Sequence, residues 1–286
     1  MIGNEKVRMS SKPKQKISNA FIFLNLLVLS ISNLYPLFFM FINSLKSHTD
    51  YLKNPFSIQG FALTWDNYVT MISQFKIFKL YGNSFYISFF TAFFILCFGI
   101  VASYAFAKLK FKGSNIVYFL IISTMFVPVQ VTIIPLYMLY SKFQLVNTYW
   151  SVIFTYLGMF LPEAILLMTS TFRSIPDEMI EAAEIDGAGY FDKLRYVIVP
   201  MGKPAIILCL IYYFIVTWND LFTPMILLQD MDVRTVMVAL ASLSSRYTGD
   251  PTLQFAGLIL AAIPAILVYA IFQRHIIKGI SAGSSK

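Results

Sequence analysis

Few side chains in this sequence are equipped for covalent or metal chemistry. The cysteines are Cys97 and Cys209 and the histidines are His48 and His275. Both cysteines fall inside long apolar runs, where they read as small packing residues and supply neither a disulfide framework nor a thiolate metal site. His48 sits in a polar loop and His275 in a basic tail, and neither has the convergent partners that a metal ligand or a general base needs. There is no HExxH pair, GxSxG elbow, Cys/His pairing or GxxxxGK[ST] phosphate loop. The expectation is a chain with no catalytic residue, no metal, and no bound cofactor of its own. What stands out instead is acid within apolar sequence: Glu163, directly after Pro162, and Asp220, in the triplet Trp218-Asn219-Asp220. A charge at the centre of a membrane helix costs roughly 2.5 to 3.5 kcal/mol on insertion scales, so such residues face a protein interior or a polar path. Two roles fit them. They line a polar path through the membrane, or they lock neighbouring helices together.

Elements that place these groups at membrane depth follow from composition. Of 286 residues, 58% are hydrophobic and 13% charged, whereas roughly a quarter of a soluble domain is charged. Apolar runs recur at the length of about 20 residues that a helix needs to cross a hydrocarbon core. The expected fold is an all-α membrane protein with six spans at about 18–41, 82–106, 115–138, 150–171, 204–228 and 255–274, with boundaries good to about 2 to 4 residues. Residues 1–17 form a basic N-terminal segment and 275–286 a C-terminal tail. The first apolar run is too long for a signal-peptide core and no small-residue cleavage site follows it, so it is expected to be an uncleaved span. Pro128, Pro135, Pro162, Pro224 and Pro264 lie in or beside spans and predict kinks.

The formal charge is +8. Six spans put both termini on one side, and if that side is the cytoplasm, fifteen of the 22 basic residues are inside, among them Lys108, Lys110, Lys112, Arg173, Lys193, Arg195 and Lys203. The other side holds Lys46, Lys53, Lys76, Lys79, Lys142, Arg234 and Arg246. That asymmetry follows the positive-inside rule and accounts for the basic balance without nucleic acid. The outer loops 42–81 and 229–254 are long, polar and aromatic-bearing, as a surface for an external partner would be.

One sizeable charged segment lies on the inner side, from Ser174 to Pro204. It reads as two short helices. Ser174 with Asp177 resembles a capped start, and Gly187 supplies a left-handed stop. Asp177, Glu178, Glu181, Glu184 and Asp186 exceed what capping requires, while Ala182 and Ala183 leave the backbone approachable. A second helix is expected at about Tyr190–Val199, with Asp192 paired to Arg195, ending before Pro200. Such a segment is either a docking element or a solvated connector.

The pattern Glu181-Ala182-Ala183, three residues, Gly187, nine residues, then Val197-Ile198-Val199-Pro200 resembles the EAA loop of permease subunits of ATP-binding-cassette importers. The usual form ends Ile-x-Leu-Pro, and valine at both apolar positions here keeps size and polarity. The stretch FRSIPDEMIEAAEIDGAG, with TWDNY at Thr64–Tyr68, TWND at Thr217–Asp220 and FQRHIIKGISAG at Phe272–Gly283, is similar to the carbohydrate branch of that family and to its smaller maltose-type permease. The resemblance implies a type I importer in the cell membrane with both termini cytoplasmic. This chain would form a heterodimer with a second homologous permease, surrounded by membrane lipid, with two copies of an ABC ATPase using ATP and Mg below and an extracellular solute-binding protein above. Glu181, Ala182, Ala183, Asp186, Gly187 and Pro200 inherit the coupling to the ATPase. Trp218, Asn219, Asp220 and Glu163 are the candidate pathway residues. The loop between the fifth and sixth spans reaches into the binding protein in the resembled subunit, which points to Arg246, Tyr247 and Asp250. The competing expectation is a self-sufficient secondary transporter of a small polar solute, which calls for paired acids or inverted repeats near the midplane.

Overall fold

The computed structural model describes residues 13–60, 62–246 and 250–283, with side chains described for 19–60, 62–243 and 250–272. Regular structure among the described residues is helical throughout. In chain order the helices are α1 Pro13–Ser44, α2 His48–Lys53, α3 Asp66–Ser73, α4 Ile77–Lys108, α5 Ser114–Ser123, α6 Val129–Lys142, α7 Tyr149–Arg173, α8 Asp177–Ile185, α9 Tyr190–Lys193, α10 Val199–Asn219, α11 Phe222–Leu227, α12 Val236–Arg246 and α13 Pro251–Gly283. They form two compact units, one of residues up to Val69 with Asp250–Ile259, the other of Thr70–Gly249 with Leu260–Lys286.

The smaller unit is organised around the turn after α1. Lys46 is fully buried there, and its ammonium donates to the carbonyls of Asn54 and Pro55 at 3.2 and 3.1 Å. The Asn67 amide donates to the carbonyls of Ser44 and Lys46, both at 2.9 Å. The Ser44 carbonyl, left open at the end of α1, thereby gains a donor, as a buried helix terminus requires.

In the larger unit α4, α7 and α10 form the core. Lipid is as apolar as leucine, so spanning helices associate where small residues let them close up. The buried face of α4 carries Ser84, Ser88, Thr91, Ala92, Gly99 and Ser103, and that of α7 carries Ser151, Thr155, Ala164 and Thr169. The Ser103 hydroxyl donates to the Ile165 carbonyl at 3.2 Å. One buried cluster, with Ile95, Tyr104, Met168, Phe172, Ile175, Leu194, Ile198 and Tyr213, lies toward the α8 end. A second, with Ile87, Ile133, Tyr140, Val152, Ile153, Tyr156, Leu227 and Leu228, lies toward the other.

Several expected boundaries shift. The third span is two helices: α5 with a 3-10 turn at Thr124–Phe126 makes an angle of 96° with α6. Val127 and Pro128 are extended at the break, because the residue before a proline is pushed out of helical space. The pair still carries the chain across. Lys108 at the end of α4 bonds Asp177 beyond the end of α7, whereas Tyr149 at the start of α7 bonds Asn83 near the start of α4. Residues 109–148 therefore return along the length of α4. Among the described residues five helices are long and apolar enough to span, six when the bent pair counts as one.

The fifth span runs Tyr190–Asn219 as one helical stretch, so the second loop helix does not stop before Pro200 but enters the bundle. A π turn at Leu194–Ile198 makes this possible, with the Val199 amide reaching back to the Leu194 carbonyl. The wider turn precedes the residue that lacks an amide hydrogen. The stretch ends at Asp220 rather than at 228, and α11 follows as a separate short helix. Ser174 terminates α7 instead of capping α8, whose N-cap position is Pro176. The expected Asp192–Arg195 pair is replaced by two local contacts: Asp192 accepts the Gly189 amide at 3.2 Å, and Arg195 lies over the Tyr196 ring. The loop 229–254 contains α12, whose Val236, Val238, Leu240 and Leu243 are buried.

A Cβ on Gly202 would stand 2.3 Å from Cε1 of the buried Phe172 ring. Gly202→Ala should therefore destabilise the α7–α10 contact by about 1 to 3 kcal/mol, seen as a lower thermal-unfolding midpoint in detergent. An unchanged midpoint would mean that the ring yields freely.

Candidate functional site: a coupling loop and a polar cleft

The candidate coupling loop, residues 174–204, is built from the ends of three spanning elements. α8 closes with hydrogen bonds from Ala188 to the Ala183 carbonyl and from Gly187 to Glu184, at 2.9 and 3.0 Å. Gly187 has φ +82°, the left-handed conformation that this closure asks of a glycine. Asp177, Ile180 and Glu184 are spaced three and four apart and so share one helix face. Ile180 on that face packs into the core cluster with Tyr104, Phe172 and Leu194. Lys108 donates to the Ile175 carbonyl at 2.5 Å and to Asp177 Oδ1 at 2.6 Å. Its ammonium holds the Asp177 carboxyl below the usual carboxylate range. Lys193 donates to Glu184 Oε2 at 3.0 Å and lies over the Tyr190 ring.

The remaining surface of the loop points away from the bundle. Glu181, Ala182, Asp186 and Gly187 are exposed and Ala183 is half-buried. Glu181 borders a cleft shared with Lys108, Lys110 and Phe111. Ile185 is 87% exposed, and Tyr190, Phe191 and Tyr196 are also largely uncovered. Pro200, the last position of the motif, lies in the first turn of α10 at the exposed end of the helix. Exposed apolar side chains grouped around a turn beyond the ends of spanning helices offer a surface for a partner protein or for the membrane interface.

At membrane depth the predicted polar residues part company. Asp220 accepts the Tyr156 hydroxyl at 2.8 Å and the amides of Phe222 and Thr223 at 3.0 and 3.3 Å, so it starts α11 and ties it to α7. Trp218 is buried, donates to the Ala261 carbonyl at 3.1 Å and stacks on Phe214. Asn219 bonds back to the Ile215 carbonyl at 2.8 Å. Glu163 lies in mid-α7 and is half-buried.

Two adjoining clefts nevertheless open beside these groups. One, of about 710 Å³, is lined by Gln130, Thr132, Tyr140, Thr155, Phe160 and Glu163, among others. The other, of about 470 Å³, is lined by Gln130, Met159, Phe160, Asn219 and Asp220, among others. They exist because the chain breaks at Pro128 and α6 swings away from α5. Gln130, common to both, was not singled out in the sequence; its nearness to that proline is the signal that could have found it.

Of the residues expected to touch a binding protein, the side chain of Arg246 and all of Tyr247 lie outside the described residues. Asp250 accepts the amides of Thr252 and Leu253 at the start of α13, at 3.1 and 3.4 Å, and pairs with His48 at 3.3 Å.

Comparison with known proteins places this geometry. Residues 95–282 match the family described as binding-protein-dependent transport system inner membrane component. The chain is 30% identical over 261 residues to the diacetylchitobiose uptake system permease protein NgcG of Streptomyces coelicolor, covering 91% of this chain and 86% of that one. It is 33% identical to the multiple sugar-binding transport system permease protein MsmG of Streptococcus mutans, covering 96% and 100%. In fold it matches a chain of a bacterial ABC transporter involved in the import of the acidic polysaccharide alginate, with a TM-score of 0.76 at 23% identity over 92% of this chain and 97% of that one. A family match across the core spans and the coupling loop, with relatives aligned along nearly the full length, shows that the chain belongs to the inner membrane permease components of binding-protein-dependent transport systems.

Proposed function

We propose that this permease forms half of the translocation path for a carbohydrate, an oligosaccharide or a related solute, with a second homologous permease completing the path. Two ABC ATPases below supply the energy, binding ATP and Mg that this chain does not bind, and an extracellular solute-binding protein delivers the solute. Relatives named for diacetylchitobiose, arabinooligosaccharides and multiple sugars support the substrate class. The complex of the alginate transporter with a pentasaccharide-bound periplasmic protein supports the binding-protein partner. Both termini face the cytoplasm, where fifteen of the 22 basic residues then lie.

The observation that carries the proposal is the outward surface of α8 and the turn after it, apolar at Ile185, Tyr190 and Phe191 and held beyond the core spans. A solvated connector has no reason to keep those side chains uncovered, whereas a helix seated in an ATPase does. Movement of α8 with the ATPase rocks α7 and α10, and with them the walls of the cleft. Gln130 and Glu163 offer hydrogen bonds there and Phe160 an apolar face, a combination that suits sugar rings. A self-sufficient carrier would keep its membrane acids free for ion coupling, yet Asp220 is engaged with Tyr156 and two backbone amides.

Ile185→Asp should abolish co-purification of the ATPase with the detergent-solubilised permease pair while leaving the pair intact; undiminished recovery would remove α8 as the docking element. Gln130→Ala, with assembly monitored, should lower uptake about three- to tenfold, the size of one lost hydrogen bond. Normal uptake by both Gln130→Ala and Glu163→Ala would remove the cleft from the pathway.

A further inference from the structure

The acids of α8 do not all face outward. Asp177 and Glu184, two turns apart, lie with Ile180 on the side turned toward the bundle, and each meets a lysine rooted in a different spanning element. Lys108 is the last residue of α4 and Lys193 belongs to the helical stretch that becomes α10. Their side chains are only 6% and 8% exposed, while the carboxylates they hold are 76% and 69% exposed. Lys108 also donates to the Ile175 carbonyl, in the linker between α7 and α8. An exposed ion pair is weak largely because two flexible side chains must be fixed at once. Here the lysine stems are already immobilised by packing, so little freedom is left to lose.

We propose that Lys108 and Lys193 are positioning residues that clamp the two ends of α8 to α4 and α10, making the coupling helix a rigid continuation of both spans. This rests on α8 being the ATPase docking element. With the clamp closed, a displacement of α8 reaches α4 through Lys108 and α10 through Lys193 at once. With it open, α8 turns about the apolar contact at Ile180, and the displacement is dissipated at the loop. The clamp takes no part in holding the ATPase, because Ala182 and Ile185 lie on other faces of the helix.

The test uses the assembled importer in liposomes, comparing Lys108→Met, Lys193→Met and the double variant with wild type. The expected result is ATPase recovery and ATP hydrolysis close to wild type, with solute taken up per ATP reduced about tenfold in the double variant, within the range over which coupled sites influence each other. Lys108→Arg should retain the wild-type ratio. A merely structural role would reduce the yield of complex and leave uptake per ATP unchanged, and an unchanged ratio overturns the clamp. A second measurement does not depend on the ATPase. With Cys97 and Cys209 changed to Ala, spin labels at Val101→Cys on α4 and Ile185→Cys on α8 should give a narrow distance distribution that broadens when both lysines are replaced. An equally narrow distribution in the double variant overturns the clamp. Failure of wild type to recover any ATPase would instead sink the docking proposal, while the distribution still decides whether α8 is clamped.

Discussion

Spanning helices gain nothing by leaving lipid for one another unless they pack more closely than lipid packs against them, and that condition governs this molecule. It is met along α4, where Ser84, Ser88, Thr91, Ala92, Gly99 and Ser103 are buried, and again at Gly202, where the edge of Phe172 occupies the space a side chain would fill. Because α4 holds α7 and α10 at short range, the ends of three spanning elements arrive together at one end of the bundle. The loop 174–204 is assembled from those ends. Without the seam, Lys108 and Lys193 would have no common helix to reach.

Polar groups at membrane depth then divide into two kinds. Asp220 and Trp218 are consumed in the architecture: a carboxylate that starts a short helix, and an indole that donates to α13. Glu163 and Gln130 stand at a cleft created by the break at Pro128. The distinction follows from backbone supply. Asp220 comes where a helix ends and unpaired amides are at hand, whereas Glu163 lies in mid-helix, where none is free.

Long apolar runs announced the helical spans in the sequence, and Gly187 announced the end of α8, because span length and left-handed backbone are properties of local sequence. The break at Pro128 was visible only as a kink, since a proline states that one hydrogen bond is missing and leaves open how far the two halves diverge. The continuity from Tyr190 to Asn219 was hidden by Pro200, which ordinarily argues for a helix boundary, and a π turn is what overrode it. Lys108 and Lys193 read as charges on the inner side. Their partners lie 69 and 9 residues away in sequence, outside any helical period, and only packing brings them together.

The π turn at Leu194–Ile198 amounts to one residue inserted into an otherwise regular helix. An inserted residue advances everything before it by about 100° around the axis, since an α-helix has 3.6 residues per turn. The azimuth of Tyr190 and Phe191 is therefore set independently of the azimuth at which α10 meets α4 and α7. Loss or gain of a single residue in those five positions would leave both ends folded yet out of phase, so this turn alone fixes the angle between the exposed rings of Tyr190 and Phe191 and the face that α10 turns to the bundle.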